Sequence, residues 1–183
     1  NVLYADELAA RFGVDAVRYY LLSQIPFAQD GNITYESFIA VYNADLANTL
    51  GNLVNRTVAM TKKYFDGIVP APGTAEDVDA ELLAAVETAK KNSYDCMENY
   101  HIADALDAIF TMLRRANKYI DETTPWTLAK DESKHARLGT VLYNLLETIR
   151  TAAVLLTPFI PTTAENIFVQ LATDRCDYDS IET

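Results

Sequence analysis

Apolar residues recur at three- and four-residue intervals along almost the whole chain, and no segment alternates apolar with polar over a strand's length. On an α-helix that spacing gathers side chains into one stripe, whereas a half-buried strand needs every second residue. The pattern restricts the chain to an all-α fold, a helical bundle of four to five main helices with a short helical module in front of it. Six glycines and six prolines among 183 residues mostly stand where one helical pattern stops and another starts. Gly13 separates a short amphipathic turn around Leu8 and Phe12 from a second unit, Val14 to Leu22, which Pro26 ends. Phe27 to Asn32 reads as a turn-rich loop.

The first long helix is predicted from about Tyr35 to Phe65, with Thr34 as N-cap and Gly67 just past its end. Its apolar positions Phe38, Tyr42, Leu46, Leu50, Leu53, Val54 and Met60 fall at helical spacing. Pro70-Ala71-Pro72-Gly73 reads as the clearest linker. Beyond it an acidic, Ala-rich helix runs from Val78 to about Glu98 with Leu82, Leu83 and Val86 on its sticky face. Ile102, Leu106, Ile109, Phe110, Leu113 and Ile120 mark the next helix, which stops at Thr123-Thr124-Pro125 because proline disfavours α geometry in the residue before it. Leu138 to Leu156 forms a fourth long helix, ended near Pro158 and Pro161. A last helix, Thr162 to Leu171, opens with the capping-box pattern Thr162-x-x-Glu165.

Charge narrows the function. Twenty-six acids against fifteen bases leave −11, which argues against a protein that coats DNA or a membrane surface through excess Lys and Arg. The excess is uneven. Residues 76–113 carry −7 and residues 151–183 carry −4, while 1–75 and 114–150 carry −2 and +2. Cys96 and Cys176 belong to no Cys or Cys-His cluster, and with only His101 and His135 besides no standard zinc site can be assembled. Two free thiols are expected. No apolar run reaches membrane-span length and no signal peptide opens the chain, which begins with Asn1 and is therefore expected to be a fragment of something longer.

No P-loop, GxGxxG, GxSxG or HExxH motif occurs, so the chain taken alone is expected to be non-catalytic. Two features are odd for a plain bundle. Asn43, Asn48, Asn52 and Asn55 crowd one helix although asparagine is an indifferent helix former. Asn48, Asn52 and Arg56, at i, i+4 and i+8, present amides beside a fork-shaped guanidinium, which suits nucleobase edges. The alternative is that these asparagines tie neighbouring helices together inside the bundle. The only tryptophan, Trp126, follows Pro125 at a helix end, where it would serve either as a stacking platform for an unpaired base or as an ordinary core residue. Nearby Arg114, Arg115, Lys118 and Lys130 fit a phosphate track or a plain solvated face.

The order Phe12-Gly13-x-Asp15-Ala16-x-Arg18-Tyr19-Tyr20-Leu21-Leu22, then Phe27-x-Gln29-Asp30-Gly31, resembles the segment after the KMSKS loop of methionyl-tRNA synthetases. The same family is resembled by Tyr42-Asn43-Ala44-Asp45-Leu46-Ala47-Asn48-x-x-Gly51-Asn52-Leu53-x-Asn55-Arg56, by Thr124-Pro125-Trp126-x-x-Ala129-Lys130 and by Leu156-x-Pro158-Phe159-Ile160-Pro161. The resemblance implies a stem-contact module over residues 1–34 and an anticodon-binding helical bundle over 35–183, from a cytoplasmic enzyme that joins methionine to its tRNA. It implies Asn52, Arg56, Pro125 and Trp126 as contacts to the CAU anticodon, and a minor seating role for Asp30. The HIGH and KMSKS motifs are not in this sequence. ATP and magnesium are accordingly implied for a separate N-terminal catalytic domain packing on residues 1–34, and no cofactor or metal for this chain. The implied partner is tRNA, with no membrane and no DNA. The alternatives are the same bundle from a leucyl, isoleucyl, valyl or cysteinyl synthetase, and a helical interaction module with no RNA role.

Overall fold

The computed structural model describes residues 4–25, 31 and 33–182, and every regular element among them is helical. The order is α1 (Ala5–Phe12), α2 (Val14–Gln24), α3 (Tyr35–Val41), a wide-turn segment (Tyr42–Gly51), α4 (Asn52–Phe65), α5 (Asp77–Glu98), α6 (Ile102–Thr123), α7 (Pro125–Leu128), a tight turn (Glu132–Lys134), α8 (His135–Leu156), α9 (Pro161–Leu171) and α10 (Asp179–Glu182). None of these helices is long and apolar enough to cross a membrane. Pro26 and the turn-rich loop, apart from Gly31, lie outside the described residues, and so does Asp30.

Helix α8 carries apolar or small residues on nearly every side over its last three turns, and a helix apolar all round belongs in the interior. It is buried along most of its length, with α4, α5, α6, α7 and α9 packed around it. Leu53, Leu82, Ile109, Leu113, Leu142 and Leu145 meet in this core with essentially no exposure, each contributing roughly 1.5–3 kcal/mol by leaving water. A smaller core of Leu8, Ala16, Val17, Tyr20 and Phe38 holds α1 and α2 against α3. Phe12 stacks there on Phe38 and Tyr42, with ring centroids 5.1 and 5.5 Å away.

Three contacts tie α2 to the bundle. Arg18 donates to the carbonyls of Phe159 (2.8 Å) and Pro158 (2.9 Å) at the corner between α8 and α9. Tyr19 donates to Asp45 at 2.8 Å. Asp15 accepts from the Thr163 N–H at 2.6 Å. That last bond replaces the predicted capping box. Helix α9 starts at Pro161 with Ile160 as an N-cap that makes no side-chain bond, and the carboxylate from α2 satisfies the free amide instead.

The segment read as a linker is also packed. Pro70 is buried, the Gly73 N–H donates to Thr140 Oγ1 at 2.8 Å, and a Cβ on Gly139 would stand 3.1 Å from the Ala71 carbonyl. It is a strap lying across the start of α8, admitted by a glycine in that helix. Just beyond it, Arg137 donates to both oxygens of Asp79 (2.6 and 2.7 Å), and Tyr119 donates to one of them at 2.6 Å. Burial would raise the Asp79 carboxyl, but the hydrogen bonds from Arg137, Tyr119 and the Glu76 N–H outweigh it and hold the group below the usual carboxylate range.

The predicted rod from Tyr35 to Phe65 is present end to end. Thr34 accepts from the Ser37 N–H at 3.1 Å, and Asp66 and Gly67 close the rod with positive φ. Its middle departs from the α-helix. Over Tyr42–Gly51 the turns widen, so that the Asn52 N–H reaches back five residues to the Ala47 carbonyl. Leu46, inside this stretch, touches both cores. Gly51 relieves the crowding that the wide turns produce, since a Cβ there would lie 3.0 Å from the Leu46 carbonyl.

Candidate nucleic-acid interface

Helix α6 ends where Thr124 turns into the left-handed region at φ 42°, a conformation that stops the helix and is compatible with the proline behind it. Pro125 then opens α7 as its first residue and is buried. The reversal throws Trp126 outward, and 40% of it is exposed. Tryptophan is ordinarily well covered, so of the two readings of Trp126 the ordinary core residue is ruled out.

Arg56 comes to it from α4. Its guanidinium carbon lies 5.9 Å from the centre of the Trp126 ring, within cation–π range. The same guanidinium donates to Asp121 at 3.4 Å, a long bond to a carboxylate whose side chain is 69% exposed. Such a pair holds the arginine weakly and leaves its remaining donors available. Asn52 lies one turn before Arg56 on α4 and is exposed. Asn43, Asn48 and Asn55 are exposed as well, so the alternative in which these amides knit the bundle interior fails. Arg56 of α4 thus meets Trp126 of α7, with the Asn52 amide one turn along α4, a set suited to stacking and hydrogen bonding.

The basic residues of α6 are occupied elsewhere. Arg114 pairs with Asp107 at 2.8 Å, Arg115 with Glu81 and Glu122 at 2.9 Å each, and Lys118 with Glu122 at 3.2 Å. These pairs fit the reading of a solvated face, and Lys130 is exposed. Cys96 and Cys176 are free thiols, as expected.

One residue of this region escaped sequence reasoning. Asn117, partly buried on α6, donates to the Thr49 carbonyl of the wide-turn segment at 3.0 Å and to its own helix at the Leu113 carbonyl at 3.1 Å. A signal was available, because Asn117 is an amide within the apolar stripe formed by Leu113, Ala116 and Ile120.

The sequence and the fold have counterparts among known proteins. A family model described as the anticodon binding domain of methionyl tRNA ligase matches residues 69–182, and one described as tRNA synthetases class I (M) matches residues 1–58. Both fall within the class I tRNA synthetases. The chain belongs to the methionyl-tRNA ligase family, within which residues 69–182 are an anticodon-binding domain. The methionine–tRNA ligase of Clostridium tetani is 54% identical over 181 residues, covering 99% of this chain and 28% of that protein. That of Caldanaerobacter subterraneus is 48% identical over 171 residues, with 93% and 27% covered. Mycobacterium tuberculosis methionyl-tRNA synthetase bound by methionyl-adenylate superposes with a TM-score of 0.94 at 38% identity, over 99% of this chain and 37% of that one. The chain therefore spans little more than a quarter of the curated relatives' length.

Proposed function

We propose that this chain reads the CAU anticodon of methionine tRNA for a cytoplasmic synthetase that joins methionine to that tRNA. The observation that carries the reading is the exposed Trp126 with Arg56 against it. In this reading the wobble cytosine stacks on the indole, and the unstacked loop offers its base edges to Asn52 and Arg56. Pro125 sets the ring where the base arrives. Stacking on an aromatic side chain is worth roughly 1–3 kcal/mol per base. The guanidinium adds a fork of donors and the amide both a donor and an acceptor. Catalysis, with ATP and magnesium, belongs to the parent's Rossmann domain. Residues 1–34 act as the stem-contact module on which that domain packs, with Asp30 helping to seat the tRNA.

The test is binding of a CAU anticodon stem-loop RNA to Trp126→Ala. Affinity is expected to fall roughly tenfold or more, with helical circular dichroism unchanged. Unchanged affinity would remove Trp126 from the site. A panel of stem-loops altered at the wobble base carries the methionine assignment, and equal binding across that panel would overturn it.

A further inference from the structure

Asn52 is the first residue of α4, directly after the wide-turn segment, and its N–H is still bonded into that segment. Arg56 is flanked by Leu53, Val54 and Thr57, all buried in the main core, so packing holds its position. Asn52 stands between exposed Gly51 and buried Leu53, and its N–H makes a five-residue hydrogen bond to the Ala47 carbonyl. Wide turns of this kind are rare and need tertiary support, because neighbouring registers compete with them. Support inside the segment comes from Thr49, whose hydroxyl donates to the Ala44 carbonyl at 2.8 Å. Support across the helix interface comes from Asn117. Its two amide hydrogens go to two carbonyls, one on α6 and one at Thr49. The bond to Leu113 fixes the side chain on its own helix, and the bond to Thr49 then fixes the last wide turn relative to α6. Helix α6 is also the element that ends in Thr124 and delivers Trp126.

We propose that Asn117 is a positioning residue for anticodon reading: through the Thr49 carbonyl it holds the last wide turn, and with it the start of α4 where Asn52 stands. It touches no base. Its effect falls on Asn52, the α4 residue next to that turn, since Arg56 lies a full turn further along α4 and Trp126 is set by the Thr124–Pro125 turn. This inference rests on the anticodon reading above and refines it.

The experiment is a double-mutant cycle on the full 183-residue chain, read by affinity for the CAU stem-loop and for stem-loops changed at each anticodon position. The single variants are Asn52→Ala, Asn117→Ala and Asn117→Asp, the last keeping the shape but removing the donor toward Thr49. Either Asn117 variant is expected to lose roughly three- to tenfold in affinity, the worth of about one hydrogen bond. The loss of discrimination is expected at the same anticodon position that Asn52→Ala affects, and adding an Asn117 variant to Asn52→Ala should cost nothing further. A loss spread evenly over the stem-loop panel, or one that adds fully to Asn52→Ala, would overturn the positioning role, and so would an Asn117→Asp variant that binds like the parent chain. If Asn52→Ala and Trp126→Ala both leave binding intact, the anticodon reading itself has failed.

Discussion

At the scale of single residues, two arginines of this chain illustrate opposite uses of the same group. Arg56 sits at the surface with a long contact to an exposed carboxylate, so little free energy is committed before RNA arrives. Arg137 is 5% exposed and makes a two-pronged pair with Asp79, which is 4% exposed. Removing one partner of such a pair strands the other in the interior. Asp79→Asn is therefore expected to cost about 3–5 kcal/mol of stability, measured by urea unfolding at neutral pH. The pH dependence follows from the lowered Asp79 pKa. A depressed carboxyl binds protons more readily in the unfolded chain, so its contribution is complete above about pH 4, the unfolded value. It fades as pH falls further and vanishes below the folded value. Acid unfolding of the parent chain should show this loss, and Asp79→Asn should lack it.

At the scale of elements, the helices were legible because the signals for them are local. Thr34, Gly67 and the Thr123-Thr124-Pro125 stop mark ends through capping and backbone sterics that involve only neighbours in sequence. The features that sequence reading missed all involve a second element. The capping box at Thr162 was a sound local pattern, yet Asp15 from α2 took the amide. Pro70 to Gly73 had a linker's composition, yet a glycine in α8 let the strap lie flat. The wide-turn segment reads as ordinary helix in its own spacing, yet Asn117 from α6 bonds its Thr49 carbonyl and Leu46 packs on both cores. Asp15→Ala tests the first of these. It should cost about 1 kcal/mol, the usual worth of an N-terminal cap, and lower the melting temperature without changing helix content.

For the whole molecule, charge and site geometry combine. The net −11 is carried by residues 76–113 and 151–183, while the stretches holding Asn52, Arg56 and Trp126 balance to zero. Arg114, Arg115 and Lys118 are paired to carboxylates, so they add little to any attraction of RNA by charge alone. Recognition then depends on stacking and base edges, and the acidic remainder repels polyanions that cannot use them. Replacing exposed Glu98 and Asp104 by Lys is expected to raise binding of stem-loops with unrelated anticodons more than binding of the CAU stem-loop. A filter assay at two ionic strengths checks this, and an unchanged ratio between the two RNAs would refute it.

The sequence by itself determined the helices, most of their ends, the family and the residue types able to read bases, because periodicity, capping and proline sterics act over a few neighbouring residues. Only the tertiary structure decided which of those residues meet. It placed Trp126 in solvent with Arg56 against its ring, widened the helix before Asn52, and supplied Asn117 from across the bundle to hold that turn. These outcomes depend on what packs opposite each side chain, and helical spacing alone carries no information about the opposite wall.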